Sequence, residues 1–150
     1  MNSSENIFPT AMGGLKMLEI SNMVSAPFCG KLMASLGAEI IKVEPPKTGD
    51  PSRRRGPFPG DVPHPERSGM FLYLNTGKKS VTLDLGDHQG REILWDLTGQ
   101  MDVLVHDLSP SCATELGIGQ DRLAEARPNL ITVAITPYGS TGPYSEYAAN

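Results

Sequence analysis

Short apolar runs alternate with helical patterns along most of this chain. The runs have the length and composition of β-strands and lie at Lys16–Ile20, Glu39–Val43, Ser80–Leu85, Asp102–Val105 and Leu130–Ile135. The second run is apolar enough to predict burial on both faces, as in a parallel sheet. Strands that alternate with helices predict an α/β fold, here a Rossmann-like, open and mostly parallel sheet flanked by helices.

A first helix is predicted from about Ser25 to Leu36. Ser25 is the expected N-cap, Pro27 fits the first turn, and Gly37 ends the helix as a left-handed residue would. The predicted buried face consists of Phe28, Leu32, Ala34 and Leu36, together with the small residues between them.

Further helices are predicted from His88 to Gln100, within 107–116 and over Asp121–Ala126. In the first of these, Ile93, Leu94 and Leu97 are spaced for one apolar face.

Two segments lack these patterns. Residues 1–13 are polar and predict a flexible leader, which leaves 14–150 as the folded part. Residues 45–69 are rich in proline and predict a long irregular loop, of the kind that is often functional. The loop carries the run Arg53–Arg55, and the pair Lys78–Lys79 follows it. The simplest interpretation of such charge runs is a solvated surface, and the alternative is a phosphate site.

Composition narrows the function classes. The net charge is -4 and the sequence pI about 5.3, which disfavours a non-specific nucleic-acid partner. Cys29 and Cys112 are far apart and have no metal-ligand spacing, so neither a metal nor a disulfide framework is predicted. No secretory signal and no apolar run of about 20 residues occurs, so we expect a cytoplasmic protein without a membrane anchor.

Candidate chemistry lies in the loops after the strands, because ligands of open α/β sheets bind beyond the carboxyl ends of the strands. None of these loops contains GxGxxG or GxxxxGK[ST], so an NAD-dependent dehydrogenase lacks its fingerprint here. His106 is interpreted as a loop residue beside such a site, and Asp107 as a turn or helix-capping residue. Cys112 is expected to be unreactive, because Glu115 is near in sequence.

Four ordered blocks resemble one family. Leu15–Pro46 has a strand, a small-Pro pair, a helix ending in LGA and a strand ending in IKVE. FLYLNTGKKSVTLDL, DVLVHDLSPSCATELG and ITPYGSTGPY follow in order. Together the blocks resemble the N-terminal part of the family III CoA-transferases, the CaiB/BaiF group that also includes 2-methylacyl-CoA racemase.

The resemblance implies an enzyme that moves coenzyme A between carboxylic acids, with acyl-CoA as a substrate and no metal. It places the CoA contacts at Val24, Ser25, Pro45, Leu83, Asp84, Leu85, Gly86, Asp107, Leu108, Ser109, Glu115, Thr136, Pro137, Tyr138 and Gly139. The family often has Arg at the position of Pro45, Asn-Phe at Asp107–Leu108 and a basic residue at Glu115. These departures predict a weakened cationic clamp.

The resemblance also implies that the catalytic aspartate lies beyond Asn150, so these residues alone are expected to be inactive. It implies an interlocked homodimer for the complete protein. Two alternatives remain, a 2-methylacyl-CoA racemase and a non-catalytic CoA-binding module. The racemase histidine aligns with Asn150, which cannot transfer protons, so the transferase is favoured.

Overall fold

The computed structural model describes residues 10–147, and these residues form a five-stranded, all-parallel sheet. The strands are β1 (Lys16–Ile20), β2 (Glu39–Glu44), β3 (Lys79–Thr82), β4 (Val103–His106) and β5 (Ile131–Ala134). The helices are α1 (Ser25–Ser35), α2 (Gly69–Asn75), α3 (His88–Thr98), α4 (Pro110–Glu115) and α5 (Gln120–Ala126). The predicted fold class is confirmed, and the strand limits differ from the prediction by a few residues.

The strand order is β3-β2-β1-β4-β5, so β1 lies at the centre. From β1 the chain first moves outward through β2 and β3, and then crosses to β4 and β5 on the other side. The order therefore reverses between β1 and β4. In open parallel sheets such a reversal opens a crevice at the carboxyl ends of the strands.

Each face of the sheet carries its own core. On one face, Leu18 and Leu104 pack with Leu94 of α3, Ala113 of α4 and Leu123 of α5. On the opposite face, a smaller cluster joins α1 to the sheet, with the buried residues Met17, Ala26, Ala38, Ile40, Val103 and Val105.

The predicted buried face of α1 is wrong for its large side chains, whereas Ala34 packs against the core and the small residue Gly30 is buried, as predicted. Phe28, Leu32 and Leu36 are 39%, 49% and 45% exposed, whereas the buried residues of the helix are Ala26, Pro27 and Gly30. A Cβ atom on Gly30 would lie 2.2 Å from Oε2 of Glu19, so only a glycine lets α1 pack this closely on the sheet. The small residues of the helix therefore face the sheet.

The reason for this close packing is a buried group of charges under α1. Glu19 of β1 and Lys42 of β2 are register partners, and their side chains are 0% and 1% exposed. Lys42 Nζ lies 2.9 Å from Glu19 Oε1 and 2.9 Å from Asp50 Oδ2, and it donates to Ser21 O at 2.8 Å. The Asp50 contact is an ion pair without hydrogen-bond geometry. A buried ammonium group with these partners keeps its charge compensated.

The proline-rich segment is fixed by this group of charges. Asp50 is fully buried and accepts a hydrogen bond from Ser52 N at 2.7 Å, which caps a 3₁₀ helix over Pro51–Arg54. Ser68 closes the segment by donating to Ser52 O at 2.7 Å. The loop is thus irregular, as predicted, but it is held by internal polar contacts.

Arg53 and Lys78 are part of the interior, so the solvated interpretation of these two residues is wrong. Arg53 pairs with Glu44 at 2.7 Å and its guanidinium lies 3.6 Å above the Phe71 ring. Lys78 Nζ lies 2.7 Å from Glu19 Oε2, and its side chain is 2% exposed.

Two smaller expectations also change. Ser25 is the first residue of α1, and its N-cap is Val24, which makes no side-chain capping bond. Ile93 is 48% exposed, because α3 turns Leu94 toward the core instead.

Replacing Lys42 with Met is expected to destabilise the fold by about 3–5 kcal/mol, because it leaves Glu19 and Asp50 buried without their shared cation. Lys79→Met is the matched control, since its partner Glu39 and Lys79 itself are exposed. Denaturant unfolding of both variants measures the difference. Equal, small losses in the two would show that the buried cation contributes little.

Candidate functional site

Two cavities open at the carboxyl edge of the sheet, around the reversal of strand order. The first, which we call the switch-point cavity, has a volume of about 500 Å³ and lies over the ends of β1, β2, β3 and β4. The second, the β5-side cavity, has a volume of about 410 Å³ and lies over the ends of β1, β4 and β5. Asn22 lines both cavities, so the loop after β1 separates them.

Most of the sequence-predicted contact residues line these two cavities. The switch-point cavity gathers Pro45, Leu83, Asp84, Leu85, Gly86, Leu108 and Glu115. The β5-side cavity gathers Val24, Ser25, Asp107, Thr136 and Pro137. Residues distant in the sequence thus meet at one edge, because parallel strands all end there.

Three predicted contacts line neither cavity. Ser109 is the N-cap of α4, and its hydroxyl accepts from Cys112 N at 3.3 Å. Tyr138 is 52% exposed, with its ring centroid 6.5 Å from that of Tyr144. Gly139 has φ 85° and lies in the same turn-rich segment.

The sequence reasoning missed Arg91, a cation at the switch-point cavity. Its Nη1 donates to Leu85 O at 3.0 Å and to Gly86 O at 2.9 Å, so the side chain holds the loop after β3. Its position in the first turns of a helix that follows the SVTLDL strand was the available signal. Glu44, Asp84 and Glu115 line the same cavity, so its walls carry both signs of charge.

Asp107 follows directly after β4 and contacts the loop after β1. Its Oδ2 accepts a hydrogen bond from Asn22 N at 2.7 Å. Burial raises the pKa of Asp107, while the amide of Asn22 and the charge of Lys42 oppose that rise. Its side chain does not cap α4, so the capping interpretation is wrong.

His106 is the last residue of β4 and is 5% exposed, so the loop interpretation is wrong. Burial lowers the pKa of His106, which favours the neutral imidazole. The ring lines a third cavity, of about 480 Å³, between the sheet and the helices α4 and α5.

Cys112 lines the switch-point cavity from α4. Burial raises the pKa of the Cys112 thiol, and the charges of Glu115 and Asp107 raise it further. A thiol in this setting is a poor nucleophile at neutral pH, in agreement with the expectation that it is unreactive.

Residues 10–147 contain neither a candidate metal site nor a helix suited to crossing a membrane. No three His, Cys, Asp or Glu side chains in this range are grouped as metal ligands. No helix in the same range combines the length and the apolar character that a membrane crossing requires.

Comparison with known proteins identifies the family. The model of the family described as CoA-transferase family III matches residues 12–150. The chain belongs to CoA-transferase family III.

Three curated relatives of this family III chain carry transferase names. It is 34% identical to the succinyl-CoA–D-citramalate CoA-transferase of Chloroflexus aurantiacus, over 93% of this chain and 34% of the relative. It is 35% identical to the acetyl-CoA:oxalate CoA-transferase of Acetobacter aceti, over 91% and 34%. It is 36% identical to the human succinyl-CoA:glutarate CoA-transferase, over 95% and 31%.

Solved structures agree with the fold. The family III chain matches a CAIB/BAIF family protein from Brucella suis with a TM-score of 0.83 and 33% identity, covering 94% of this chain and 37% of that one. It matches Rv3272 from Mycobacterium tuberculosis with a TM-score of 0.81 and 35% identity, covering 93% and 38%. The chain therefore spans about a third of the length of the proteins it matches.

Asn150, which aligns with the racemase histidine, lies outside the described residues. The choice between transferase and racemase therefore depends on the identity of residue 150 in the sequence and on the names of the relatives.

Glu44 gives this family III chain a defined response to acid. Burial by itself would raise the pKa of Glu44, but hydrogen bonds from Arg53, Ser80 and the Asp50 amide outweigh burial and lower it to about 2. A depressed pKa contributes stability that is present above the ordinary value of 4.5 and is lost as the pH falls towards 2.

We therefore expect the stability advantage of the unmodified chain over Glu44→Gln to be largest at neutral pH and to shrink between about pH 4.5 and 2. Urea unfolding across this range measures it. Glu125→Gln, at an exposed carboxylate on α5, is the control and should show a much smaller dependence. An advantage that is independent of pH would contradict the assignment.

Proposed function

We propose that residues 14–150 form the CoA-binding part of an enzyme that transfers coenzyme A from an acyl-CoA to a carboxylic acid. The observation that carries the proposal is the collection of the family's sequence blocks around the switch-point and β5-side cavities. The relatives' names support it, because each names a CoA donor or a carboxylic acid such as oxalate or glutarate.

The switch-point cavity suits the nucleotide end of CoA. Ile20, Val43, Leu83 and Leu108 provide apolar walls, which suit an adenine ring. Arg91 provides a positive charge, and its guanidinium has five N–H donors, so it can hold the loop after β3 and still face a phosphate. Arg91 thus supplies a cation to the cavity that Pro45 also lines.

The chemical step is proposed to use a carboxylate nucleophile located beyond Asn150. Attack of this carboxylate on the thioester carbon forms a mixed anhydride and releases the CoA thiolate. The thiolate then attacks the enzyme's acyl carbon of the anhydride, which releases the donor carboxylate and leaves an enzyme-bound CoA thioester. The acceptor carboxylate attacks this thioester, forms a second mixed anhydride and releases the CoA thiolate. The thiolate then attacks the acceptor's acyl carbon, which gives the product acyl-CoA and regenerates the enzyme carboxylate. The residues described here bind and orient CoA during these steps, and we propose that they have no turnover alone.

A racemase on the same scaffold is the second candidate, and a non-catalytic CoA-binding module is the third. The racemase is disfavoured because Asn150 stands at the position of the proton-transferring histidine. The module is disfavoured because the relatives named above are transferases.

Calorimetric titration of CoA and of NAD into this chain tests the binding proposal. We expect CoA to bind and NAD to give no heat of binding. Arg91→Gln should weaken CoA binding about tenfold, which corresponds to about 1.4 kcal/mol. Arg54→Gln, an exposed residue that lines neither cavity, is the charge-matched control. No binding to the unmodified chain would overturn the proposal, and equal effects in the two variants would overturn the role of Arg91.

We also propose that the complete protein is a cytoplasmic homodimer. The apolar side chains Val24, Phe28, Leu32 and Leu36 support an interface, because they repeat every four residues from the N-cap to the end of α1 and are 39–49% exposed.

This surface predicts that the chain self-associates. Leu32→Glu should shift the chain towards monomer in analytical ultracentrifugation, because it places a charge in the middle of the exposed stripe. Val62→Glu is the control, since Val62 is 65% exposed and lies on the proline-rich segment. A monomeric unmodified chain would contradict the prediction.

A further inference from the structure

The turn after β1 holds a residue in an unusual backbone conformation. Met23 has φ 59°, in the left-handed region that residues other than glycine rarely occupy. Such a conformation persists only where surrounding contacts hold it, and it concentrates at functional sites. Met23 lines the β5-side cavity, and its neighbour Asn22 lines both cavities. The unusual turn is therefore the wall between the two cavities.

Two carboxylates from distant parts of the chain hold this turn. Asp107, after β4, accepts from Asn22 N at 2.7 Å. Asp50, in the proline-rich segment, accepts from Met23 N at 3.3 Å through its Oδ1. Consecutive amides of the turn are thus bound by side chains that lie 85 and 27 residues away in sequence.

The two carboxylates differ in what else they contact. Asp50 is fully buried, is paired with Lys42 and also caps the 3₁₀ helix, so its removal would disturb the fold as a whole. Asp107 lines the β5-side cavity, and the hydrogen bond that its side chain accepts from a distant part of the described chain comes from Asn22. Its backbone N–H also donates to Ile20 O at 3.3 Å, and a side-chain substitution leaves that bond in place. Asp107 is therefore the member whose removal tests the turn alone.

We infer that Asp107 is a positioning residue that fixes the Asn22–Met23 turn and thereby shapes the wall against which CoA binds. The inference rests on the proposed function, and it assigns Asp107 an indirect role in place of a direct contact with CoA. A hydrogen-bond acceptor is the required property at this position. The negative charge is not required, and it opposes an anionic ligand such as CoA.

If the acceptor matters and the charge does not, three variants should differ in their affinity for CoA. Asp107→Asn keeps a carbonyl oxygen that accepts from Asn22 N and removes the charge, so it should bind CoA at least as tightly as the unmodified chain. Asp107→Ala removes the acceptor and frees the turn, so it should bind CoA about tenfold more weakly. Asp61→Asn, on an exposed residue of the proline-rich segment, is the charge-matched control and should change nothing.

The pH dependence follows from the same charge. Burial raises the pKa of Asp107, and the charged groups that act on it are Lys42 of β2 and Asp50 of the proline-rich segment. As the pH rises through that raised pKa the carboxylate forms, and CoA affinity should fall. Asp107→Asn should lack this phase while keeping any contribution from Lys42 and Asp50.

Amide hydrogen exchange measured by NMR gives a readout that is independent of CoA. Exchange at Asn22 and Met23 should accelerate in Asp107→Ala and stay slow in Asp107→Asn and in Asp61→Asn. Circular dichroism and thermal unfolding of each variant establish that it is folded, and Asp107→Asn serves as the rescue if Asp107→Ala is unfolded.

The outcomes separate the two proposals. If the unmodified chain binds CoA but Asp107→Ala binds it equally well, the positioning role is overturned and the CoA proposal stands. If CoA binds neither to the unmodified chain nor to the variants, the proposed function is overturned. Unchanged exchange at Asn22 in Asp107→Ala would then overturn the positioning role of Asp107 as well. Weaker binding in Asp107→Asn than in Asp107→Ala would also overturn it, because the acceptor would then be irrelevant.

Discussion

The buried ammonium group of Lys42 is the interaction on which the rest of this structure depends. It joins the central strand to β2 through Glu19, anchors the proline-rich segment through Asp50 and holds the carbonyl of Ser21 where β1 ends. Because a buried charge is costly unless it is paired, each of these partners is held in place by the others. Helix α1, which packs over this group, must then present small residues to the sheet, and this explains the glycine at position 30.

This network connects the interior to the candidate site. The carboxylate of Asp50 that meets Lys42 also reaches Met23, and Met23 belongs to the wall of the β5-side cavity. Glu44 likewise lines the switch-point cavity while it pairs with Arg53. The cavities are thus bordered by backbone that ion pairs fix from below, an arrangement that favours a preformed site for a long, flexible ligand.

The periodicity of the sequence predicts the α/β fold class, the mostly parallel sheet and the approximate positions of the main helices, because parallel strands and their connecting helices leave strong local patterns. It does not predict the order of the strands. It fails for α1, where Phe28 and Leu32 face outward. A pattern of apolar residues cannot reveal that a charged pair occupies the sheet beneath. The signal in the sequence was a charged residue inside each apolar strand, Glu19 in KMLEI and Lys42 in EIIKV, and the structure makes the two residues register partners.

For the candidate site, the family blocks identify the loops, but the three-dimensional structure is needed to divide them between two cavities. Arg91 lies outside every block. The structure is needed to show that its guanidinium reaches back from α3 to the loop after β3. The buried charges have one more consequence. The hydration of charged groups becomes less favourable on heating, whereas apolar burial gains little, so the α1 side of the sheet should weaken less with rising temperature than the α3 side. At high temperature, the side of the sheet that carries the buried ion pairs should therefore be the last to lose its structure.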